Sequence, residues 1–85
     1  MNKEDVEKQV KGIIAHKLGL HVDDVKNESK LEDDLAADSL DCVEIVMELE
    51  KVFHVSINDA QLFEMNTWPV SQVCDMVWNL IEPNQ

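Results

Sequence analysis

Ser39 is the side chain in this sequence best placed for covalent chemistry, because of the residues that flank it. Within Asp34-Leu35-Ala36-Ala37-Asp38-Ser39-Leu40-Asp41, Asp38 reads as a helix N-cap. Its carboxylate can accept hydrogen bonds from the free backbone N–H groups of the first turn. Ser39 then takes the first helical position, with its hydroxyl at the positive end of the helix dipole. A phosphate ester is best tolerated there, since unpaired N–H groups and the dipole both favour negative charge. Taken alone, these residues describe a capped helix start that places a serine well.

Other reactive side chains offer less. His16, His21 and His54 could act as bases or ligands, but none has the spacing of a ligand pair, and no histidine lies close to Ser39 in sequence. Cys42 and Cys74 are too few and too far apart for a zinc site, and both fall on apolar helical faces as small buried hydrophobes. The acidic run Glu32-Asp33-Asp34 followed by Asp38 lacks the spacing and central glycine of an EF-hand loop. Weak binding of divalent cations is compatible with it; a dedicated metal site is not supported. A substrate pocket beside a triad is hard to fit into 85 residues, and no enzyme is read here.

The element that positions Ser39 is a helix predicted over Ser39–Phe53, free of glycine and proline. At about 100° per residue, its apolar residues form two stripes. Cys42, Ile45, Val46, Leu49, Val52 and Phe53 make the broad one, the expected core face. Leu40, Val43 and Met47 make a narrower one on roughly the opposite side, edged by Asp41, Glu44 and Glu48. Two readings compete: the helix is central and buried nearly all round, or the second stripe is a partner-binding surface bordered by carboxylates.

A first helix is predicted from about Lys3 to Leu18, with Val6, Val10, Ile13, Ile14 and Leu18 at helical spacing and Gly19 as its left-handed cap. Leu20 to Ala37 reads as a long ordered loop pinned by Val22, Val25, Leu31 and Leu35 through short turns near Val22–Val25 and Leu31–Leu35, with an extra short helix as the alternative. Val55-Ser56-Ile57 alternates like a strand but has no partner strand, so it is a connector. Asn58-Asp59 caps a short helix over Ala60–Met65, and Asn66-Thr67-Trp68-Pro69 breaks the chain. Val70, Val73, Val77, Leu80 and Ile81, broadened by Cys74 and Trp78, make the last helix, ended by Pro83. The fold class is therefore all-α: a small four-helix bundle of three longer helices and one short one, with a long loop between the first two.

Composition bounds the function. Eighty-five residues allow a single domain over 1–85 with one modest core. Seven Lys+Arg against 18 Asp+Glu give a formal net charge of -11, which opposes binding to nucleic acid or to an anionic membrane and favours basic patches on other proteins. The charged N-terminus carries no signal-peptide pattern and no stretch reaches transmembrane length, so a monomeric cytoplasmic protein with no membrane insertion is expected.

The run Asp38-Ser39-Leu40-Asp41, continued by Val43-Glu44, Val46-Met47, Leu49-Glu50 and Phe53, resembles the prosthetic-group attachment region of acyl carrier proteins. The resemblance extends to the amphipathic first helix, the Asp34-Leu35 pair before the motif, and the short helix before a final one. It covers nearly the whole chain. The triplet Asp-Ser-Leu is weak by itself; together with an acidic helix, this length and this charge it is specific.

The resemblance implies that Ser39 is esterified by 4′-phosphopantetheine, donated from coenzyme A by a phosphopantetheinyl transferase. The arm then carries an acyl group as a thioester between enzymes of fatty acid biosynthesis. It also implies that Asp38 caps the helix and positions the serine. Leu40, Val43 and Met47 then supply apolar contacts, while Asp41, Glu44 and Glu48 meet Arg and Lys of partner enzymes. The acyl chain can lodge between the helices. Other cargoes remain open, namely aminoacyl, D-alanyl or polyketide groups, as does a different class, an unmodified acidic adaptor that uses the same helix. The sequence departs from the family pattern at Ala36 and His54, where glycine is common, and at Asn58, where proline is frequent. Gln61, Leu62 and Phe63 stand where more acidic residues are usual, and Trp68 and Trp78 are unusual in the last part of the chain.

Overall fold

The computed structural model describes residues 2–81. Its helices are α1 (Lys3–Leu18), α2 (Ser39–Phe53), α3 (Asp59–Glu64) and α4 (Val70–Ile81). Single 3-10 turns lie at Val22–Asp24 and Met65–Thr67. Among the described residues there is no strand, only one isolated antiparallel bridge between Lys30 and Pro69. The expected all-α bundle is therefore observed; Pro83, the expected stop of the last helix, lies outside the described residues.

Both ends of α1 are closed by their own sequence. The Asn2 side chain accepts from the Asp5 N–H at 2.9 Å. At the other end Gly19 sits at φ 68°, its N–H donates to the His16 carbonyl, and Leu20 N–H donates to Ala15 at 2.8 Å. This paired arrangement needs a left-handed residue, and glycine adopts that conformation without a Cβ clash.

The core is shared by the helices and the long loop. Val6, Val10 and Ile14 of α1 meet Ile45 and Leu49 of α2 and Val70, Val73 and Val77 of α4, all fully buried. Full burial of each such side chain contributes about 1.5–3 kcal/mol, which is why so short a chain needs every face inward. Two expectations are corrected here. Val52, assigned to the core stripe, is exposed, because the helix at that point looks out between α1 and α2 rather than into the bundle. Val22, assigned as a pin for the loop, is also exposed. The 3-10 turn it begins instead drives Val25 inward.

Between α1 and α2 the loop is tied by backbone hydrogen bonds to the α3–α4 junction. Leu31 N–H donates to Trp68, Glu32 N–H to Asn66, Val70 N–H to Ser29 and Ser71 N–H to Asn27, at 2.8 to 3.3 Å. Leu31 is fully buried beneath this seam. The expected long ordered loop is thus observed, and it borrows its partners from the far half of the chain, as buried backbone groups require.

Candidate functional site

Asp38 and Asp41 build the start of α2 together. Asp38 is extended, at φ -95°, and its carboxylate accepts from the Asp41 N–H at 2.8 Å. The Asp41 carboxylate accepts in return from the Asp38 N–H at 3.1 Å. This reciprocal pair fixes where the helix begins. Ser39 therefore lies at the first helical position, exposed, and neither its N–H nor that of Leu40 has a partner among the described residues. The sequence signal for the second half of the pair was a carboxylate three residues after the cap, which the reading of Asp41 as a rim charge left unused.

Ala37, just before the cap, is buried and donates its N–H to the Leu31 carbonyl at 2.8 Å. That bond passes the order of the loop seam to the helix start. Ala36 takes φ 59°, a left-handed conformation that costs a residue bearing a Cβ about 1–2 kcal/mol. This is one of the two positions where the resembled family commonly has glycine. His54, the other, closes α2 at φ 55° and ψ 47°.

Two grooves meet at Ser39. One, of about 670 Å³, runs between α2 and α3 and is lined by Cys42, Val43, Leu62, Phe63, Glu64, Asn66 and Thr67 besides Ser39. The other, of about 450 Å³, is lined by Glu32, Ala36, Ala37, Asp38 and Asn66. The Asn66 side-chain amide donates to the Glu32 carboxylate and so bridges the loop to the α3 end of the site. Among the described residues no group of three or more His, Cys, Asp or Glu side chains could hold a metal ion.

Leu40 and Met47, of the second apolar stripe, are 65% and 63% exposed, and Val43 between them is also exposed. This removes the reading of α2 as a helix buried all round. Leaving such side chains in water forgoes much of the 1.5–3 kcal/mol (roughly) that full burial gives each, so the stripe is unpartnered apolar surface. The carboxylates beside it differ in freedom. Asp41 is engaged in the cap, and Glu48 is half-buried with Lys17 Nζ 3.9 Å away. Glu44 is exposed and has no partner among the described residues. Cys42, one turn beyond Ser39, is buried, and its thiol is held above its ordinary pKa by that burial and then by the Asp41, Asp38 and Glu32 carboxylates. It stays protonated and unreactive near neutral pH.

These features fit a phosphate diester with a flexible arm. The hydroxyl is accessible, two N–H groups of the first turn are free to face an anion, and open grooves leave it in two directions. Comparison with known proteins points the same way. Residues 8–76 match the family model described as a phosphopantetheine attachment site. A curated acyl carrier protein of Chlorobium phaeobacteroides is 43% identical over 77 residues, which span 91% of this chain and 96% of that protein. The chain therefore belongs to the acyl carrier protein family, the family whose prosthetic group is phosphopantetheine.

Proposed function

We propose that residues 1–85 form a single acyl-carrier domain and that Ser39 is the attachment residue. In this reading it shuttles acyl groups between enzymes of fatty acid biosynthesis in the cytoplasm. The observation that carries this reading is the accessible Ser39 hydroxyl at the first position of a doubly capped helix, where two open grooves meet. The Ser39 Oγ displaces adenosine 3′,5′-bisphosphate from coenzyme A, and its proton leaves to a base supplied by the transferase. Bound there, the arm supplies the thiol on which acyl groups are held as thioesters.

This chain's own residues do the rest. Asp38 and Asp41 hold Ser39 at the helix start, and the free N–H groups of Ser39 and Leu40 would favour the negative charge of a phosphodiester there. Leu40, Val43 and Met47 offer apolar contacts, while Glu44, with Asp41 and Glu48 beside it, steers basic partner surfaces into register. The protein is a carrier that presents its cargo, and the catalytic groups belong to its partners. Among the described residues no helix is long and apolar enough to cross a membrane.

The test is the intact mass before and after incubation with coenzyme A and a broad-specificity phosphopantetheinyl transferase. A gain of one phosphopantetheine, mapped to Ser39 and lost in Ser39→Ala, is expected. If a protein that starts unmodified gains no mass, the carrier reading fails at its central residue.

A further inference from the structure

Phe63 is 87% exposed, the most exposed large apolar side chain among the described residues. Its backbone is nevertheless firmly held. At the start of α3 the Asn58 side chain accepts from Gln61 N–H at 2.8 Å while the Gln61 side chain accepts from Asn58 N–H. At the end, Thr67 Oγ1 donates to the Glu64 carbonyl at 2.8 Å, and Met65 is fully buried. A short helix fixed at both ends thus holds an aromatic ring out in water.

The ring is also placed. Phe63 and Val43 line the same groove as Ser39, and Val43 continues along α2 to Leu40 and Met47. Phe63 and Val43 therefore share the groove of the attachment residue, Leu40 and Met47 extend the exposed apolar surface along α2, and Glu44 of α2 and Asp59 and Glu64 of α3 are exposed on the same two helices. No Lys or Arg occurs between Lys51 and the end of the chain. Apolar patches with a polar rim mark interaction sites, and aromatic anchors seated in pockets carry a large share of interface energy.

We propose that Phe63 is the anchor by which this carrier selects among its partners, its ring entering an apolar pocket on an enzyme surface rimmed by Lys and Arg. The proposal rests on the reading of Ser39 as the attachment residue. It separates two contributions of different physical origin. The carboxylate rim acts through charge, which salt screens; the ring acts by desolvation, which salt does not weaken.

The test uses the full chain, loaded at Ser39, as substrate for the condensing enzyme of fatty acid synthesis from the same organism. Loading is scored first by intact mass: a chain that does not load overturns the Ser39 reading, and the anchor that rests on it, before any KM is measured, whereas the KM outcomes below judge the anchor alone. Phe63→Ala is expected to raise KM by about tenfold or more with kcat unchanged, at low and at high salt alike, and Phe63→Leu to recover most of the loss. Glu44→Gln is expected to raise KM at low salt only. A KM for Phe63→Ala within about twofold of the parent, or an effect that disappears in high salt, overturns the proposal. Faster hydrolysis of the thioester with KM unchanged overturns it too, because the ring then covers the arm rather than docking a partner.

Discussion

Replacing His54 by glycine is expected to stabilise this protein, although it removes a side chain. His54 follows the last residue of α2 at φ 55° and ψ 47°, and its side chain is exposed, with no hydrogen bond or ion pair among the described residues. The left-handed conformation costs a residue with a Cβ about 1–2 kcal/mol. Glycine escapes that cost but loses about 0.4–1 kcal/mol more backbone entropy on folding. The net gain is centred on about 0.8 kcal/mol, which in a domain of this size raises Tm by roughly 3–6 °C. Thermal unfolding followed by circular dichroism reads this directly. Two glycines serve as controls, since a Cβ added at either meets no heavy atom within 4 Å. Gly19→Ala, at φ 68°, is expected to lose about 1 kcal/mol. Gly12→Ala, inside α1, is expected to gain about 0.5–1 kcal/mol from helix propensity. If His54→Gly lowers Tm, or if Gly19→Ala and Gly12→Ala shift it in the same direction, backbone torsion is not what decides stability at these positions.

Further outcomes follow from the same structure. Asp38→Ala removes the side chain that accepts from Asp41 N–H, and should cost about 0.5–2 kcal/mol in denaturant unfolding, with Asp38→Asn retaining most of the stability. With a formal net charge of -11, the native state repels itself, so Tm should rise between low and moderate ionic strength; a flat response would remove self-repulsion as a significant effect. Burial pushes the Cys74 thiol from 9.0 up to about 11, so the fold favours its neutral form. The stability this contributes is complete below pH 9.0 and is lost as pH rises through about 11. The Tm difference between the parent and Cys74→Ala should therefore shrink over that window, and native Cys74 should resist alkylation at neutral pH until the protein unfolds.

Helix limits were legible in the sequence wherever the signal was local. Asn58 and Asp38 cap, Gly19 terminates, and most of the apolar spacing of α1, α2 and α4 is carried into the core. What the sequence hid was set by distant residues. Val52 belongs to the core stripe by angle alone; it is exposed because it lines the open groove between α1 and α2. The loop from Leu20 to Ala37 was legible as ordered and pinned, through Val25 and Leu31, but its hydrogen-bond partners at Asn66, Trp68, Val70 and Ser71 were not, because they come from the far side of α2 and α3. Asp41 was read only as a charge near the site, although a carboxylate three residues after the Asp38 cap is itself the signal for the second half of that cap. Ala36 and His54 stood out as departures from the family's glycines, and the left-handed backbone at both explains why glycine is favoured there.

The seam between the loop and the α3–α4 junction has a consequence for the order in which the molecule assembles. Its hydrogen bonds join residues such as Asn27 and Ser71, or Ser29 and Val70, so nearly half the chain must be looped before any of them can form. Closing so long a loop costs entropy that local helix turns do not meet, so contacts of this kind are expected to follow the local ones on the folding route. The start of α2 inherits that lateness through the bond from Ala37 to Leu31. A newly made chain can thus hold most of its helix while Ser39 still lacks its final frame. On the proposed reading of Ser39 as the attachment residue, modification by an enzyme that reads that frame would then double as a check that folding has been completed.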